Sequence, residues 1–376
     1  MRVTYWARFF YYLTFMKNKL RVAILFGGRS AEHEVSLISA RNIVAAMDKS
    51  KYEIIAIAID KQGRWSYDKG ARLLRDQQKQ VMPVDSAQSI AILPGARQSS
   101  LVRLGAPSLE VDVVFPVLHG PFGEDGTVQG LLKLANLPFV GASVLGSAIG
   151  MDKDVMKRLL RDARIPIGRF HVYDRSTAKR INFSGIKKAL GQPLFVKPAN
   201  LGSSVGISKV DSRSELEAAV KRALRFDNKI LIEEFIEGRE IECSVLGNDD
   251  PIASLPGEIV TAHDFYSYDA KYIDDQGSSL EIPAKLPRAI VRTVQEIAIR
   301  SYKALCCEGM ARVDFFVQPD GKVLVNEINT IPGFTQISMY PKMWQASGIP
   351  YPKLIDRLIQ LALRRFRQEQ NLRTSV

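Results

Sequence analysis

Two carboxylates near the carboxyl end of the chain are spaced so that a β-hairpin would bring them together. The strand-like segments that carry them are joined by Asp320-Gly321, a favoured two-residue turn. That turn predicts a register in which four side chains share one face as two opposed pairs, Asp314 with Glu327 and Arg312 with Asn329. Oxygen ligands in this arrangement suit a hard cation such as Mg²⁺. A solvated charged face is the alternative, but the interleaved apolar residues favour a covered sheet and therefore a metal site.

A glycine- and serine-rich loop follows an apolar strand that ends in Lys197, and residues 197–206 read KPANLGSSVG. Glycines let the backbone approach phosphate oxygens, while amides, hydroxyls and the lysine supply donors and charge. No Gly-Lys-Ser/Thr closes the loop, so the Walker pattern is excluded. Gly27-Gly28 likewise lacks the third glycine of a dinucleotide fingerprint. The loop joins two predicted strands and could lie over phosphates as a flap, but glycine loops between strands are more often plain turns, and this loop alone does not decide between the two.

A third stretch, residues 261–280, is rich in aromatic and polar side chains. Loops of about twenty residues inside compact domains are usually disordered or serve as lids, and the aromatics favour a lid. Upstream, Glu233 and Glu240 stand at the end of a strand-like run and just beyond it. Adenine amino and ribose hydroxyl groups need such acceptors. Because surface acids at a strand end are commoner, this segment alone decides nothing.

The elements that must position these residues follow an α/β pattern and then an α+β pattern. Buried strand-like runs at 21–26, 54–59 and 111–117 alternate with helical spacing, which predicts a parallel, Rossmann-like sheet. A helix and further strands follow, and antiparallel strands with turn signals begin at about residue 230. We therefore expect four segments: a leader outside the fold (1–15), an N-terminal Rossmann-like substrate domain (16–141), a central subdomain (142–233) and a C-terminal subdomain that includes the lid loop (234–376).

The net charge of +12 and the isoelectric point of about 9.5 raise the alternative of a non-catalytic nucleic-acid-binding protein. The excess charge gathers at the two ends, because residues 1–21 hold five Lys or Arg and no acid, and residues 364–376 hold four Arg and one Glu. That distribution disfavours a basic groove. The composition, 46% hydrophobic and 24% charged, is typical of globular proteins. No run approaches the roughly 18 uncharged apolar residues of a membrane-spanning helix, so we expect no membrane partner.

The cysteine count favours a reducing compartment. Cys243, Cys306 and Cys307 are too few for a disulfide scaffold, and the four scattered His offer no zinc spacing. We therefore expect the protein in the cytoplasm. Residues 1–15 crowd aromatic side chains without periodicity and without a signal-peptide cleavage site. We expect the folded protein to start at Met16, with a membrane-surface anchor as the alternative.

Taken in order, these segments resemble the ATP-grasp superfamily and, within it, the D-alanine:D-alanine ligases. The resemblance runs from about residue 21 to beyond residue 354. The motifs that carry it are FGGRSAEHEVS at 26–36, LHGPFGEDG at 118–126, MDK at 151–153, VKP at 196–198, GSSVG at 202–206, YDAKY at 268–272, RVD at 312–314 and NEINTIPGF at 326–334. It implies an ATP-grasp fold with an N-terminal Rossmann-like parallel-sheet domain, a small central α+β domain and a C-terminal antiparallel-sheet domain.

The resemblance also implies a role for individual residues. The first D-alanine would be held at its ammonium by Glu32, with Ser203 and Tyr272 beside it and His119 near its carboxylate. The remaining roles implied are ATP phosphate contacts for Lys153, Lys197 and Lys271; adenine and ribose contacts for Glu233 and Glu240; two Mg²⁺ ions, or Mn²⁺, on Asp314, Glu327 and Asn329; an oxyanion hole from Arg312 and the Gly333 amide; and a site for the second carboxylate at Ser338 and the Met339 amide.

The implied reaction joins two D-alanine molecules at the expense of ATP, through an acyl phosphate, for peptidoglycan precursor synthesis. Acyl phosphates hydrolyse, so a lid around Tyr272 would have a purpose. A depsipeptide ligase that joins D-alanine to D-lactate is the alternative within the family. The resemblance disfavours it, because such ligases usually lack a tyrosine at the lid position that Tyr272 occupies here. The family also implies a homodimer, and we expect no nucleic-acid partner.

Overall fold

The computed structural model describes residues 19–67, 89–95, 101–103, 105–261 and 278–373. Within those ranges the chain forms helices together with parallel and antiparallel sheets, so the predicted α/β and α+β class is confirmed. None of the helices described is long and apolar enough to span a membrane. The predicted leader and most of the predicted lid loop lie outside the described residues.

The amino-terminal part of the chain builds a sheet whose central strands are parallel. The strands of this part are β1 (Leu20–Gly27), β2 (Tyr52–Ile59), β3 (Trp65–Ser66), β4 (Ile90–Ile92), β5 (Leu101–Arg103) and β6 (Val113–Val117). Four of them form the sheet in the order β3-β2-β1-β6, with β3 antiparallel, and β4 pairs with β5 separately. Strands β1 and β6 are nearly continuous apolar runs because both faces of a parallel sheet are covered.

The chain turns sharply from β1 into the first helix, α1 (His33–Ala46). The turn needs glycine at Gly27, which has a φ of +92° and whose added Cβ would lie 2.2 Å from the carbonyl oxygen of Ile59. The next amide, of Gly28, donates to that same carbonyl at 2.8 Å. This close approach directs the start of α1, with Glu32 at its N-cap, toward the carboxyl edge of the sheet.

The central part of the chain is an antiparallel sheet of four strands in the order β7-β10-β8-β9. They are β7 (Phe170–Asp174), β8 (Leu194–Pro198), β9 (Ser208–Val210) and β10 (Lys229–Glu234). The helices up to this point are α2 (Thr127–Leu134), α3 (Val144–Met151), α4 (Lys153–Asp162), α5 (Phe183–Leu190) and α6 (Arg213–Ala223). As predicted, the glycine-rich loop runs from a strand, β8, into another strand, β9.

The carboxyl-terminal part contains the largest sheet that the structure describes, in the order β14-β13-β11-β15-β16 with β12 paired to β11. Its strands are β11 (Arg239–Gly247), β12 (Ile252–Ala253), β13 (Gly257–Thr261), β14 (Ser278–Glu281), β15 (Gly309–Val317) and β16 (Val323–Asn329). Strands β13 and β14 are antiparallel neighbours. The predicted lid loop is therefore shorter than 261–280, because its first and last residues belong to these strands.

The turn between β15 and β16 corrects the predicted two-residue hairpin. Gln318 pairs with Lys322 across a three-residue loop, and Gly321 takes a φ of +85°, as in a type I turn closed by a left-handed residue. A bulge at Asn326 then restores the register. The predicted pairs survive for that reason: Asp314 lies opposite Glu327 and Arg312 opposite Asn329.

The last helices of the chain include one that packs against the amino-terminal sheet. They are α7 (Arg288–Ala304), α8 (Met339–Ala346) and α9 (Tyr351–Gln370). Helix α9 packs its apolar side, including Leu354 and Leu358, into the same core as Ile24 of β1 and Phe115 of β6. The carboxyl-terminal helix therefore covers a face of the amino-terminal sheet, and the same core includes Leu246 of β11 and Met310 of β15.

Candidate active site

A cleft of about 400 Å³ opens between the central sheet and the carboxyl-terminal sheet. Its walls are formed by the glycine-rich loop, the ends of β8 and β10, the start of β11 and part of β16. Six of the predicted site residues line it, namely Lys153, Lys197, Ser203, Glu233, Glu240 and Glu327. Lys157, which the sequence analysis did not single out, lines it as well.

Two lysines and a glutamate form a buried cluster on one wall of the cleft. The Glu233 carboxylate lies 2.7 Å from Lys197 Nζ and 3.2 Å from Lys157 Nζ. Burial raises the pKa of Glu233, but the two ammonium groups lower it more, to about 2. Burial lowers the pKa of Lys157. Burial also lowers the pKa of Lys197, but Glu233, Glu327 and Glu240 together raise it above its ordinary value. The cluster thus presents one net positive charge, which suits an anionic ligand.

Lys153 links the glycine-rich loop to the metal-ligand candidates. It is the first residue of α4, whose N-cap Asp152 accepts from the amides of Asp154 and Val155. Its Nζ donates to the Leu201 carbonyl at 2.6 Å and lies 3.5 Å from Glu327 Oε2. This ammonium therefore stands between a phosphate-type loop and a carboxylate of the hairpin.

The glycine-rich loop reaches the amino-terminal part of the chain. Ser203 and Ser204 adopt left-handed φ values of +51° and +59°, a conformation that costs a non-glycine residue about 1–2 kcal/mol. In that conformation Ser203 Oγ donates a hydrogen bond to Glu32 Oε1. The predicted pair of Ser203 and Glu32 therefore meets across 171 residues of sequence. Gly120 also borders this carboxylate, since an added Cβ there would lie 2.9 Å from Glu32 Oε2.

The hairpin face carries the four residues that the register predicted, and a fifth from β11. Arg312 donates to both oxygens of Asp314 at 2.7 and 2.6 Å, and Asn329 Nδ2 donates to Asp314 at 3.0 Å. Arg312 Nε also lies 3.0 Å from Oε2 of the buried Glu242. Burial lowers the pKa of Arg312, but the neighbouring carboxylates raise it by more than burial lowers it. The guanidinium therefore stays charged. Asp314, Glu327 and Asn329 thus offer oxygens on one face beside a fixed cation.

Two further predicted residues meet just beyond β16. Ser338 is the N-cap of α8, so the Met339 amide belongs to the first turn, whose N–H groups have no partner within the helix. Ser338 Oγ accepts from the Thr335 amide at 2.9 Å. Gly333 lies so close that an added Cβ would be 2.7 Å from Ser338 Oγ. Helix N-termini of this kind bind carboxylates.

His119 is buried beside the same segment. Its Nδ1 lies 3.1 Å from the Ile331 carbonyl and 3.9 Å from Glu124 Oε1, and its Nε2 lies 3.3 Å from Ser39 Oγ. Burial lowers the pKa of His119, but Glu124 raises it more, so the pKa lies above its ordinary value. Both ring nitrogens face protein atoms.

Two predicted site residues, Lys271 and Tyr272, lie outside the described part of the chain, in the predicted lid loop. Three residues that contact the predicted site residues were not identified from the sequence: Lys157, Glu242 and Ser39. For Lys157 a signal existed, because it follows Lys153 by four residues on the same helix and so points to the same side. Glu242 lies two residues beyond Glu240 and therefore on the same face of β11. Ser39 carried no signal, since a serine in an amphipathic helix is unremarkable by itself.

Two family descriptions match this chain. Residues 21–142 match "D-ala D-ala ligase N-terminus" and residues 159–360 match "D-ala D-ala ligase C-terminus". Together these segments cover nearly all of the described parallel sheet, most of the cleft lining and the whole hairpin, but not Lys153 and Lys157. The nucleic-acid-binding alternative is thereby set aside.

Individual relatives cover nearly the whole chain. The D-alanine–D-alanine ligase A of Escherichia coli (strain K12) is 52% identical over 363 residues, 96% of this chain and 100% of that protein. The D-alanine–D-alanine ligase of Oceanobacillus iheyensis is 50% identical over 361 residues, 95% of this chain and 99% of that protein. Among solved structures, the D-alanine-D-alanine ligase from Coxiella burnetii has a TM-score of 0.83 at 44% identity, covering 94% of this chain and 96% of that chain.

A solved ligase of different specificity also matches nearly the whole chain. The VanG D-Ala:D-Ser ligase from Enterococcus faecalis has a TM-score of 0.81 at 37% identity and covers 92% of this chain and 100% of that chain. The predicted ATP-grasp fold is confirmed by these structural matches. The matching families, the identities and the shared fold together place this chain in the D-alanine–D-alanine ligase family.

Proposed function

We propose that this protein joins two D-alanine molecules into D-alanyl-D-alanine while ATP is converted to ADP and phosphate, and that the product serves peptidoglycan precursor synthesis. The observation that carries the proposal is the hydrogen bond from Ser203 of the glycine-rich loop to Glu32. A loop suited to phosphates thereby touches a carboxylate suited to an amino-acid ammonium. The two reactants of the first step, ATP and an amino acid, would meet at this contact.

ATP would occupy the cleft between the two antiparallel sheets. Lys153 and Lys197 would contact its phosphates, together with Lys271 of the lid loop. The net positive charge of the cluster around Glu233 supports this orientation. Glu240, which lines the cleft at the start of β11, would accept from the ribose, and Glu233, held by its two lysines, would face the adenine side.

Asp314, Glu327 and Asn329 fit a hard divalent cation. They supply two carboxylates and an amide oxygen from one face, and Mg²⁺ is usually held by one or two carboxylates while substrate phosphates and waters complete its coordination. Among the described residues, no group of three or more His, Cys, Asp and Glu is arranged for a metal. Two Mg²⁺ ions, or Mn²⁺, would neutralise charge on the phosphate oxygens.

In the first step, a carboxylate oxygen of D-alanine attacks the γ-phosphorus, the bond to the β-phosphate oxygen breaks, and ADP leaves. Glu32 would hold the ammonium of this D-alanine, with Ser203 and Tyr272 completing the hydrogen-bonded set. His119 would lie near its carboxylate. Lys153 would stabilise charge on the transferring phosphoryl group, because its Nζ already bridges the loop carbonyl and Glu327.

In the second step, the amine of the other D-alanine attacks the acyl carbon, loses a proton, and the carbon–oxygen bond to phosphate breaks. Arg312 and the Gly333 amide would donate to the oxyanion of the tetrahedral intermediate. Ser338 and the Met339 amide would hold the second carboxylate at the start of α8. A lid that contains Tyr272 would exclude water from the acyl phosphate.

The proposal is tested by phosphate release from ATP and Mg²⁺ with each amino acid in turn, and with D-lactate and D-serine as second substrates beside D-alanine. D-alanine alone should support turnover, and Glu32→Gln should abolish it. The matched control is Glu217→Gln on α6, whose side chain is 67% exposed. If D-lactate or D-serine were the preferred second substrate, the product would not be D-alanyl-D-alanine. Phosphate release without any amino acid would contradict the ligase activity itself.

The assembly, compartment and domain division are parts of the same proposal. The protein would act in the cytoplasm as a homodimer, without nucleic-acid or membrane partners. Its domains would be 16–141, 142–233 and 234–376, with residues 1–15 outside the fold. Light scattering of the purified protein should give twice the 42.0 kDa chain mass, and a monomer mass at micromolar concentration would reject the dimer.

A further inference from the structure

Helix α1 carries a row of three polar side chains that the proposed reaction does not use, of which Ser36 and Ser39 are buried and Asn42 is partly buried. Ser36, Ser39 and Asn42 recur at every third position, so they lie on roughly one side of the helix. Ser36 Oγ accepts from the Gly27 amide at 2.7 Å, and Asn42 Nδ2 donates to the Phe334 carbonyl at 3.1 Å. The row therefore connects the first sheet with the segment that follows β16.

Ser39 stands in the middle of this row and is fully buried. Its Oγ accepts from the backbone amide of Phe334 at 3.2 Å and lies 3.3 Å from Nε2 of His119. A hydroxyl has one hydrogen and two lone pairs, so it accepts from the amide and still bonds the imidazole. It donates to an unprotonated Nε2 and accepts from a protonated one, and the link holds in both states.

The other ring nitrogen of His119 ties the imidazole to the same segment. Nδ1 faces the Ile331 carbonyl at 3.1 Å and the Glu124 carboxylate at 3.9 Å. Both groups are acceptors, so Nδ1 carries a proton. The imidazole thus donates to Ile331 on one side and bonds Ser39 on the other, while Ser39 bonds Phe334.

Phe334 is fixed from several directions. Its carbonyl accepts from Asn42 and from the Tyr351 hydroxyl, each at 3.1 Å. Its ring is fully buried and lies with its centroid 6.1 Å from that of Phe115 and 6.2 Å from that of Tyr351. The residue before it is Gly333, whose amide is the proposed oxyanion donor. An error in the position of Phe334 would therefore displace that donor.

We propose that Ser39 is a positioning residue: its hydroxyl joins the His119 ring to the Phe334 amide and so holds the segment 331–334, with the Gly333 amide, in the geometry that the second chemical step needs. This inference rests on the proposed function for its catalytic consequence. The structural link itself does not depend on the reaction.

The test compares Ser39→Ala with Ser301→Ala. Ser301 is equally buried, on α7, and its Oγ has no hydrogen-bond partner in the described structure. Amide hydrogen exchange is measured without substrates, and kcat and KM are measured for ATP and D-alanine. In Ser39→Ala the Phe334 amide should exchange at least tenfold faster and kcat should fall about tenfold, as expected for one lost hydrogen bond, while the KM for ATP changes less than twofold. Ser301→Ala should change none of these.

Because exchange is measured on the free protein, an unaltered Phe334 amide overturns the inference whether or not the protein is a ligase. Faster exchange spread over the whole chain would assign Ser39 to general stability and overturn it too. Faster exchange at Phe334 with unchanged kcat would show that the link exists without positioning the reaction, which also contradicts the proposal.

Discussion

At the scale of single residues, the central question about the hairpin face is the role of the Arg312 guanidinium. Two roles fit a guanidinium at this position: a counter-charge for the paired acids, or a donor to the developing oxyanion. In the structure Arg312 contacts Asp314 through two hydrogen bonds and Glu242 at 3.0 Å. Glu242 can therefore keep the guanidinium in place even if a cation takes the oxygens of Asp314. That second contact supports the donor role.

Arg312→Lys separates the two roles, because lysine keeps the charge but not the planar, two-pronged donor set. We expect kcat to fall about a hundred- to a thousand-fold, the usual cost of one oxyanion donor. ATP affinity, measured without turnover, should change less than about tenfold, or 1.4 kcal/mol. If instead ATP affinity and folding stability collapse together, the counter-charge role is correct.

The lowered pKa of Glu233 predicts how the free energy of unfolding changes at acid pH. Burial raises its pKa, Lys157 and Lys197 lower it more, and the result is about 2 against an ordinary 4.5. A depressed carboxyl pKa stabilises the folded state above the unfolded pKa, and this contribution is lost as the pH falls from about 4.5 toward 2. The stability difference between the wild type and Glu233→Gln should therefore shrink between pH 6 and pH 3. Urea unfolding at several pH values measures it, and a difference independent of pH would contradict the paired cluster.

At the scale of elements, the β15–β16 hairpin shows which structural features the sequence predicts and which it does not. Strand alternation predicted that Asp314, Glu327, Arg312 and Asn329 share a face, and they do. The assumed turn was wrong, because the loop has three residues and the bulge at Asn326 compensates for the extra one. Alternation depends only on local pattern, whereas a bulge depends on how the neighbouring strands and helices pack, and no local pattern encodes it.

The hairpin face also predicts a dependence on the cation. Glu327→Gln preserves the shape but removes a negative ligand, so we expect most activity to be lost at low Mg²⁺ and partly recovered at high Mg²⁺. The Mg²⁺ concentration for half-maximal rate should rise at least about tenfold. Glu217→Gln on α6 is the control. Near-normal rates at low Mg²⁺ for Glu327→Gln would remove this residue from the metal site.

The residues that the sequence missed share one cause. Lys157, Glu242 and Ser39 act through partners far away in the chain, namely Glu233, Arg312 and His119. Charged residues on a helix or strand normally face solvent, and only the assembled sheets bury these. By contrast, the glycine-rich loop and the acids of the hairpin could be predicted because each lies within one short segment of the sequence.

At the scale of the whole molecule, Arg365 of α9 ties the carboxyl terminus to the amino-terminal part. It donates to the carbonyls of Gly141 and Phe139 at 2.6 and 2.8 Å, and its side chain is 7% exposed. Since α9 also covers the first sheet, these bonds join elements that lie more than 200 residues apart in sequence.

Replacing Arg365 with Ala should lower the free energy of unfolding by about 2–4 kcal/mol, because two buried carbonyls lose their partners. The neighbouring Arg364 provides a matched control, since its side chain is 61% exposed and pairs with an exposed Asp249. Arg364→Ala should change stability by no more than about 0.5 kcal/mol. Denaturant unfolding compares the two, and equal losses would mean that the buried bonds do not hold the ends together.

The proposed reaction depends on an acyl phosphate made from D-alanine. The most direct measurement uses D-alanine labelled with ¹⁸O in both carboxylate oxygens, with ATP and Mg²⁺, followed by mass spectrometry of the products. Attack of a carboxylate oxygen on the γ-phosphorus transfers that oxygen, so each released phosphate should carry one ¹⁸O, and D-alanyl-D-alanine should form in equal amount. Unlabelled phosphate, or label in AMP instead, would contradict the account.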